Sequence, residues 1–565
     1  MNKGVSYSAL LILLMSFMLL SACTKDTNQN GEGNKPPEDV QPAQAATDNP
    51  YSAPFSNGKF DPPITLSTVR IVGGDVKFKN GETMENNVHT KWAKEKLGID
   101  IKTDWTVANG DALKTKLRLA LAANQTMPDV LAFRDDELAN ELIQSGKFME
   151  VGPLFEKYAS ASWKEAMSGD PSVWNTYIRD GKKYGIPILD YAYNTDEVLW
   201  IRQDWLDKLG MKAPATIDEL EKTIEAFSTQ DPDGNGKKDT YGLTFGFKNQ
   251  LNTWMSGVGS IFGAYGALPN QWMEKDGQLV YGSTLPEAKM GLEKLRSWME
   301  KGFVPKDAGL VDEVKASDLF IAGQAGIVLG PHWMPGWPLN ALTDNVKTAK
   351  YRAYPIPAGP DGKAMRKGTL TNNGVVLINK DMKNPDAFIV YQNYLFDHFA
   401  NPEVGGEFEF GMAEGYDWAN VDGKPTTDTN KIPGGAVVVS KYTLTFDGAR
   451  IPTLELETLA KLASGAQPVT PFEKIDAAKD PLWIQAGGIV MQQKDISKPE
   501  KFVGAPTKTM KIKKAFLDKM EKEMYAKIIY GELPLTEFDA FVEKWNAQGG
   551  EQITKEVNEW YQSLK

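Results

Sequence analysis

Nine consecutive residues hold the sharpest pattern of ligand atoms in the chain: Asp231-Pro-Asp-Gly-Asn-Gly-Lys-Lys-Asp239. Side-chain oxygens fall at positions 1, 3, 5 and 9 of the run, on Asp231, Asp233, Asn235 and Asp239. Gly236 occupies position 6, where such a loop turns sharply, and Lys237 at position 7 offers its carbonyl. Hard oxygen donors at alternate positions wrap a hard cation. The spacing fits the first nine positions of an EF-hand-type calcium loop. Position 12 is Gly242 instead of the usual bidentate Glu. Thr240, Glu219 and Glu225 are the nearby oxygens left to complete a shell. The expected ion is a structural Ca2+. The alternative is a metal-free turn.

A second chemical group stands alone. Cys23 is the single cysteine of 565 residues. Lys3 precedes it, then the uncharged apolar run Ala9–Leu20, then Ser21 and Ala22. A basic start, a short apolar stretch and small residues make a secretory signal over residues 1–22. The run is too short for a membrane span of about 20 apolar residues. Leu20-Ser21-Ala22-Cys23 resembles the bacterial lipobox, in which the cysteine is acylated, with palmitate for example, and becomes the mature N-terminus. The alternative is a retained signal-anchor helix with an incidental cysteine. With one cysteine, no intramolecular disulfide forms, and the body folds on its apolar core alone.

These groups need elements to position them. Residues 23–60 are rich in Asn, Gln, Asp, Gly and Pro and read as a flexible tether. The body starts with an alternating strand over 64–72, then a helix over 86–97 closed by Gly98, a strand over 99–105, a helix over 111–123 and a buried strand over 128–133. Alternating strands and helices predict an α/β architecture with a mostly parallel sheet. A helix over 217–227 and a strand over 240–245 flank the acidic loop. Residues 510–565 read as nearly all helix. The formal net charge of -11 argues against a nucleic-acid partner. No second long apolar segment follows the first, so the body is not a membrane domain.

Several segments together resemble the extracellular solute-binding proteins of ABC sugar importers. They are Asp180–Asn194 with Trp200–Gly210, Pro128–Asp136, Phe320–Trp333, Ile528–Asp539 and Trp545–Gly550. The similarity is to the lipid-anchored oligosaccharide receptors, and to alginate- and maltose-binding receptors. It implies a two-lobed periplasmic-binding-protein-like fold with a ligand cleft between the lobes. The N-terminal lobe would comprise 61–189 and 371–438, and the C-terminal lobe 190–370 and 439–565. Crossings are expected near Leu189, Thr371 and Val438. The resemblance also makes the calcium loop similar to that of alginate-binding receptors, where the metal is structural.

Sugars present flat CH faces to aromatic rings and hydroxyls to polar side chains. The chain has 15 Trp and 19 Tyr, most of them expected in packing. Position in the implied fold selects Trp333, Phe133, Tyr191, Tyr193, Trp254 and Tyr265 as platforms, and Asp136, Arg134, Asn86 and Glu414 as hydroxyl partners. The resulting expectation is a monomeric, lipid-anchored receptor on the extracellular face of the cell membrane. It would deliver an oligosaccharide to ABC permease subunits, with no catalytic residue. The alternatives are a secreted, lipid-anchored polysaccharide hydrolase or lyase and an adhesive surface lipoprotein. His89, His332 and His398 are too scattered for a metal cluster, and no H-E-x-x-H, G-x-S-x-G or P-loop is present.

Overall fold

Central apolar runs buried on both faces, such as Val130–Phe133 and Val198–Arg202, build two sheets, each packed between helices. The computed structural model describes residues 49–565 except Asp75. Cys23, the 1–22 signal and most of the 23–60 tether lie outside the described residues. In chain order the strands are β1 (Ile64–Ile71), β2 (Ile99–Val107), β3 (Val130–Phe133), β4 (Ile186–Leu189), β5 (Val198–Arg202), β6 (Tyr241–Leu243), β7 (Ala325–Gly330), β8 (Tyr351–Tyr354) and β9 (Asn372–Ile378). The first sheet runs β2-β1-β3-β9-β4 and the second β6-β7-β5-β8.

The expected mostly parallel sheet is corrected to mixed sheets. β1 runs parallel to β2 and β3, and β6 parallel to β7. β9 is antiparallel to β3 and β4, and β5 is antiparallel to β7 and β8. β5 and β9 each enter a sheet directly from the other one. No helical crossover within a lobe fixes their direction, as it does for parallel neighbours.

Alternation divides each strand between two cores. Val130 and Ala132 pack with Ile99, Ile186 and Ile378, while Leu131 and Phe133 pack with Leu117, Leu142 and Val375 on the opposite face. In the second sheet Leu199 and Ile201 join Leu243 and Ile327, while Val198 and Trp200 join Val328 and Tyr351.

The helices used below are α1 (Val88–Leu97), α2 (Gly110–Ala122), α3 (Asp136–Gln144), α4 (Ile217–Thr229), α5 (Pro286–Glu300), α6 (Asp386–His398), α7 (Leu454–Ala463), α8 (Pro471–Ala477), α9 (Pro481–Gln492), α10 (Met510–Ile529) and α11 (Glu551–Ser563). Local chemistry sets their ends. Asn87 accepts from the His89 and Thr90 amides, Thr90 answers with a bond to the Asn87 amide, and Gly98 closes α1 in the left-handed region. Such an N-cap contributes about 1 kcal/mol.

The tether ends earlier than residue 60. Phe55–Ser56 pairs with Lys59–Phe60, and Phe60 is fully buried. Tyr51 stacks on Tyr158, and the Ser52 amide donates to Asp386 at 2.9 Å. Three aromatics in eleven residues, 50–60, bury enough surface to offset the ordering that the Asn- and Pro-rich composition otherwise disfavours.

The chain passes between the sheets after Leu189 and before Asn372, which pair with each other in the first sheet. These passages are bound together. The Asp190 amide donates to the Thr371 carbonyl (2.9 Å), and the Ala192 amide to the Pro452 carbonyl (2.7 Å). The third passage falls later than Val438. Val439 and Tyr442 pack with Met84, and Leu444 and Ala449 belong to the first-sheet core. Residues 439–449 therefore stay with the first lobe, because their apolar side chains complete its core before the chain leaves near Arg450.

Beneath the passages lies a fully buried ion pair, Arg366 Nε to Asp196 Oδ2 at 2.7 Å. Arg366 also donates to the Val490 carbonyl, and Asp196 accepts from the Thr369 amide. At the open edge of the second sheet, just past β8, Gln493 pairs with the backbone of Ile356. Its Oε1 accepts from the Ile356 amide and its Nε2 donates to the Ile356 carbonyl.

Candidate functional site

Three tryptophans stand in a row at the end of β7. Trp333 follows the strand by three residues. Its ring stacks on Trp254 (centroids 5.9 Å apart, planes at 27°) and on Trp337 (6.4 Å, 20°). Trp337 is 48% exposed. Hydrogen bonds fix the row: Trp254 Nε1 donates to Glu313 Oε1 and Trp333 Nε1 to the Asn194 carbonyl, both at 2.8 Å.

Asn194 belongs to the first passage, so the row is tied to it. The Asn194 side chain also donates, through Nδ2, to Asp190 Oδ1 at 3.0 Å. Asp190 pairs with Arg450, whose guanidinium lies over the Tyr191 ring at 4.9 Å. Arg450 meets Asp447 at 3.5 Å, and Asp447 meets Lys441 at 2.9 Å and Arg134 at 3.0 Å. Arg134, at the end of β3, covers the Phe446 ring and is about half exposed. A continuous set of contacts therefore runs from Trp333 in the second lobe to Arg134 in the first.

Electrostatics follow from this crowding. Burial works to raise the Asp447 carboxyl, but Arg450, Lys441 and Arg134 outweigh it and hold it well below the usual range. Burial lowers Arg450, yet Asp447 and Asp190 keep it charged. Behind the tryptophans, half-buried Lys479 bridges the buried Glu455 and Asp476 at 2.6 and 2.7 Å. Burial lifts Asp476 to about 6, and burial lowers His332 beside them to about 4.

The structure brings Trp333, Trp254, Tyr191, Tyr193 and Arg134 together. Tyr193 sits in the first passage with φ 62° and packs with the core beneath the row. Phe133 is 1% exposed and belongs to the first-lobe core, because β3 is buried on both faces. Asp136 starts α3 and accepts from the Tyr177 hydroxyl at 2.8 Å, which in turn accepts from Asn372. Tyr265 packs against the large second-lobe core, with Lys294 of α5 and Asp218 of α4 as its charged neighbours, apart from the row. Asn86 lies on an exposed turn bonded to Thr83, and Glu414 on an exposed turn bridged to Trp418. Neither belongs to the row or to the charged cluster. Asp190, Asp447, Arg450 and Glu313 escaped the sequence reading. Asp190 and Arg450 are 260 residues apart, and no local spacing announces such a pair.

The acidic loop lies elsewhere, between α4 and β6. Among the described residues, no three Asp, Glu, His or Cys side chains converge as a ready-made ion cage. The loop nevertheless gathers oxygen around one donor: Asn235 Nδ2 reaches Asp233 at 2.7 Å and both Asp239 oxygens at 3.1 and 3.3 Å. The Gly236 amide donates to one oxygen of Asp231 at 3.1 Å, and the other, Oδ1, is buried with no partner. Burial and the neighbouring Asp231 and Asp239 raise the Asp233 carboxyl. Clustered carboxylates with an orphaned oxygen fit a bound cation. The missing position-12 ligand has a steric reason. A Cβ on Gly242 would stand 2.2 Å from the Ile224 carbonyl oxygen, so β6 packs against α4 only with glycine there. Glu219 is committed to the Ala215 and Thr216 amides, and Thr240 to the Phe227 carbonyl. Glu225 remains exposed.

Residues 76–398 match the family model described as bacterial extracellular solute-binding protein. The chain is 26% identical over 459 residues to the polygalacturonan/rhamnogalacturonan-binding protein YtcQ of Bacillus subtilis, covering 80% of this chain and 84% of the relative. It is 24% identical to lipoprotein LipO of the same organism, covering 83% and 87%. A crystal structure of the alginate-binding protein AlgQ2 without calcium ion superposes with a TM-score of 0.63 at 20% identity, over 89% of this chain and 98% of that one.

Proposed function

Because the chain belongs to the family of bacterial extracellular solute-binding proteins, we propose that it is a lipid-anchored receptor that binds an oligosaccharide and delivers it to an ABC permease. The observation that carries this reading is the Trp254–Trp333–Trp337 row, joined through Asn194 and Asp190 to the charged cluster of the first lobe. The half-exposed Trp337 at the outer end of the stack, backed by Trp333, offers an indole face to a sugar ring, and paired Arg and Asp groups read hydroxyls in directions fixed by their own ion pairs. Contacts split between lobes favour a closed state that the permease reads as loaded. Phe133 drops out of the ligand set and Trp337 joins it. The similarity to YtcQ makes galacturonan and rhamnogalacturonan oligosaccharides the first ligands to test.

Cys23, acylated, holds the protein at the membrane as a monomer, a reading supported by the lipobox and by the similarity to lipoprotein LipO. Asp231, Asp233, Asn235, Asp239 and the Lys237 carbonyl hold a structural Ca2+, with the orphaned Asp231 oxygen as support.

Titration calorimetry against galacturonan and rhamnogalacturonan oligosaccharides, with chromatography of the mixtures, tests the reading. Binding with intact sugars supports a receptor. Cleaved products would make the protein a hydrolase or lyase instead.

A further inference from the structure

The chain is acidic overall, yet one helix face is not. Between Thr507 and Glu523 stand six lysines, Lys508, Lys511, Lys513, Lys514, Lys519 and Lys522, with Asp518 and Glu523 as the exposed carboxylates. The other acid of the span, Glu521, is buried and receives bonds from Tyr281, Ser283 and Asn270. α10 turns Met510, Leu517, Glu521, Tyr525 and Ile528 inward. Helical spacing then places Ile512, Phe516 and Lys519 on the opposite face. Ile512 is 71% exposed and Phe516 49%. Each is a large apolar side chain on a lysine-rich helix. Lys514 pairs with Asp518 and Lys519 with Glu523, which leaves the lysine excess of the face in place.

We propose that this face of α10 docks on the anionic phospholipid surface beside which the protein is tethered. Charge complementarity selects the occupant. A cationic face on a chain of net charge -11 is drawn to a negatively charged plane while the rest of the molecule is pushed away. Two exposed apolar side chains one turn apart, on a helix that carries Lys511, Lys513, Lys514 and Lys519, suit the boundary between headgroups and acyl chains. Lysine stems bury along that boundary while their ammonium groups meet phosphates. The physiological setting rests on the lipid-anchored reading. The docking itself does not, and is tested without the anchor.

The test uses the mature chain with Cys23→Ser, sedimented with vesicles of phosphatidylglycerol and phosphatidylcholine in equal parts, or of phosphatidylcholine alone, at low salt. The protein should pellet with the anionic vesicles, stay in solution with the neutral ones, and be released at about 0.5 M salt. Lys511→Glu with Lys519→Glu should weaken pelleting at least about tenfold. Ile512→Ser with Phe516→Ser should weaken it as well, with melting temperatures unchanged because all four side chains are exposed. Equal binding by the charge-reversed protein, or no binding to anionic vesicles, overturns the proposal. Retention only by membranes that contain a permease would also overturn it and assign the face to a protein partner. Membrane fractionation of the wild type tests the anchor separately.

Discussion

The acidic loop and the passage cluster are both groups of charges, but they are built in opposite ways. Asp231, Asp233, Asn235 and Asp239 lie within nine residues and are mostly exposed. Asp196, Arg366, Asp190, Asp447 and Arg450 come from separate parts of the chain and are buried or nearly so. The first group folds with its own turn. The second exists only when both lobes have formed. A local cluster can be removed with little effect on the fold, whereas a distributed buried one cannot, because each partner left behind is a charge without solvent.

That contrast is broken or sharpened by substitution. The largest effect is expected at Asp196→Ala, which strands Arg366 in a fully buried site. Stability should fall by about 3–5 kcal/mol in urea unfolding. A loss under 1 kcal/mol would show that the passages tolerate an unpaired guanidinium and that the contrast is false. Next comes Trp333→Ala, which should weaken oligosaccharide binding by about 1–3 kcal/mol. Its apo melting temperature should change less than that of Asp196→Ala. The reverse ranking would place Trp333 in the core rather than at the ligand.

Asp447 supplies a pH test. Its carboxyl is depressed in the folded protein, so its stabilisation is full above the unfolded value of about 4 and is lost as pH falls below it. Asp447→Asn should therefore flatten the acid limb of the stability profile below about pH 4 and lower the plateau at neutral pH. An unchanged acid limb would mean that the three cations do not hold the carboxylate. The smallest effect is expected at the loop. Calcium at about 1 mM should raise the melting temperature by no more than about 3 °C, given a dissociation constant of about 10⁻⁴–10⁻³ M. Asp231→Ala should abolish that shift and leave sugar affinity nearly unchanged. Calorimetry with no heat on adding calcium would mark a metal-free turn.

Legibility in the sequence follows the same division. Gly98 announced the end of α1 because capping is local chemistry, and Asp231–Asp239 announced a tight oxygen-rich loop for the same reason. Phe133 misled because its place at a strand end suggested a cleft, while alternation on a strand buried on both faces turned it inward. The direction of β5 and β9 was hidden, since it depends on which sheet each strand enters from. The link from Trp333 through Asn194 to Arg450 joins three distant segments and has no sequence period at all. Residues 50–60 were read by average composition, which concealed Tyr51, Phe55 and Phe60 among the Asn and Pro.

The amide of Gln493 bears on a different problem. By bonding both backbone groups of Ile356, it stands in for one residue of a neighbouring strand just past the open edge of the second sheet. Strand edges recruit other strands, and proteins blunt them in several ways. Here a single side chain fills the slot that another copy's backbone would take. A strand approaching this residue from outside therefore meets a backbone whose amide and carbonyl are both already paired.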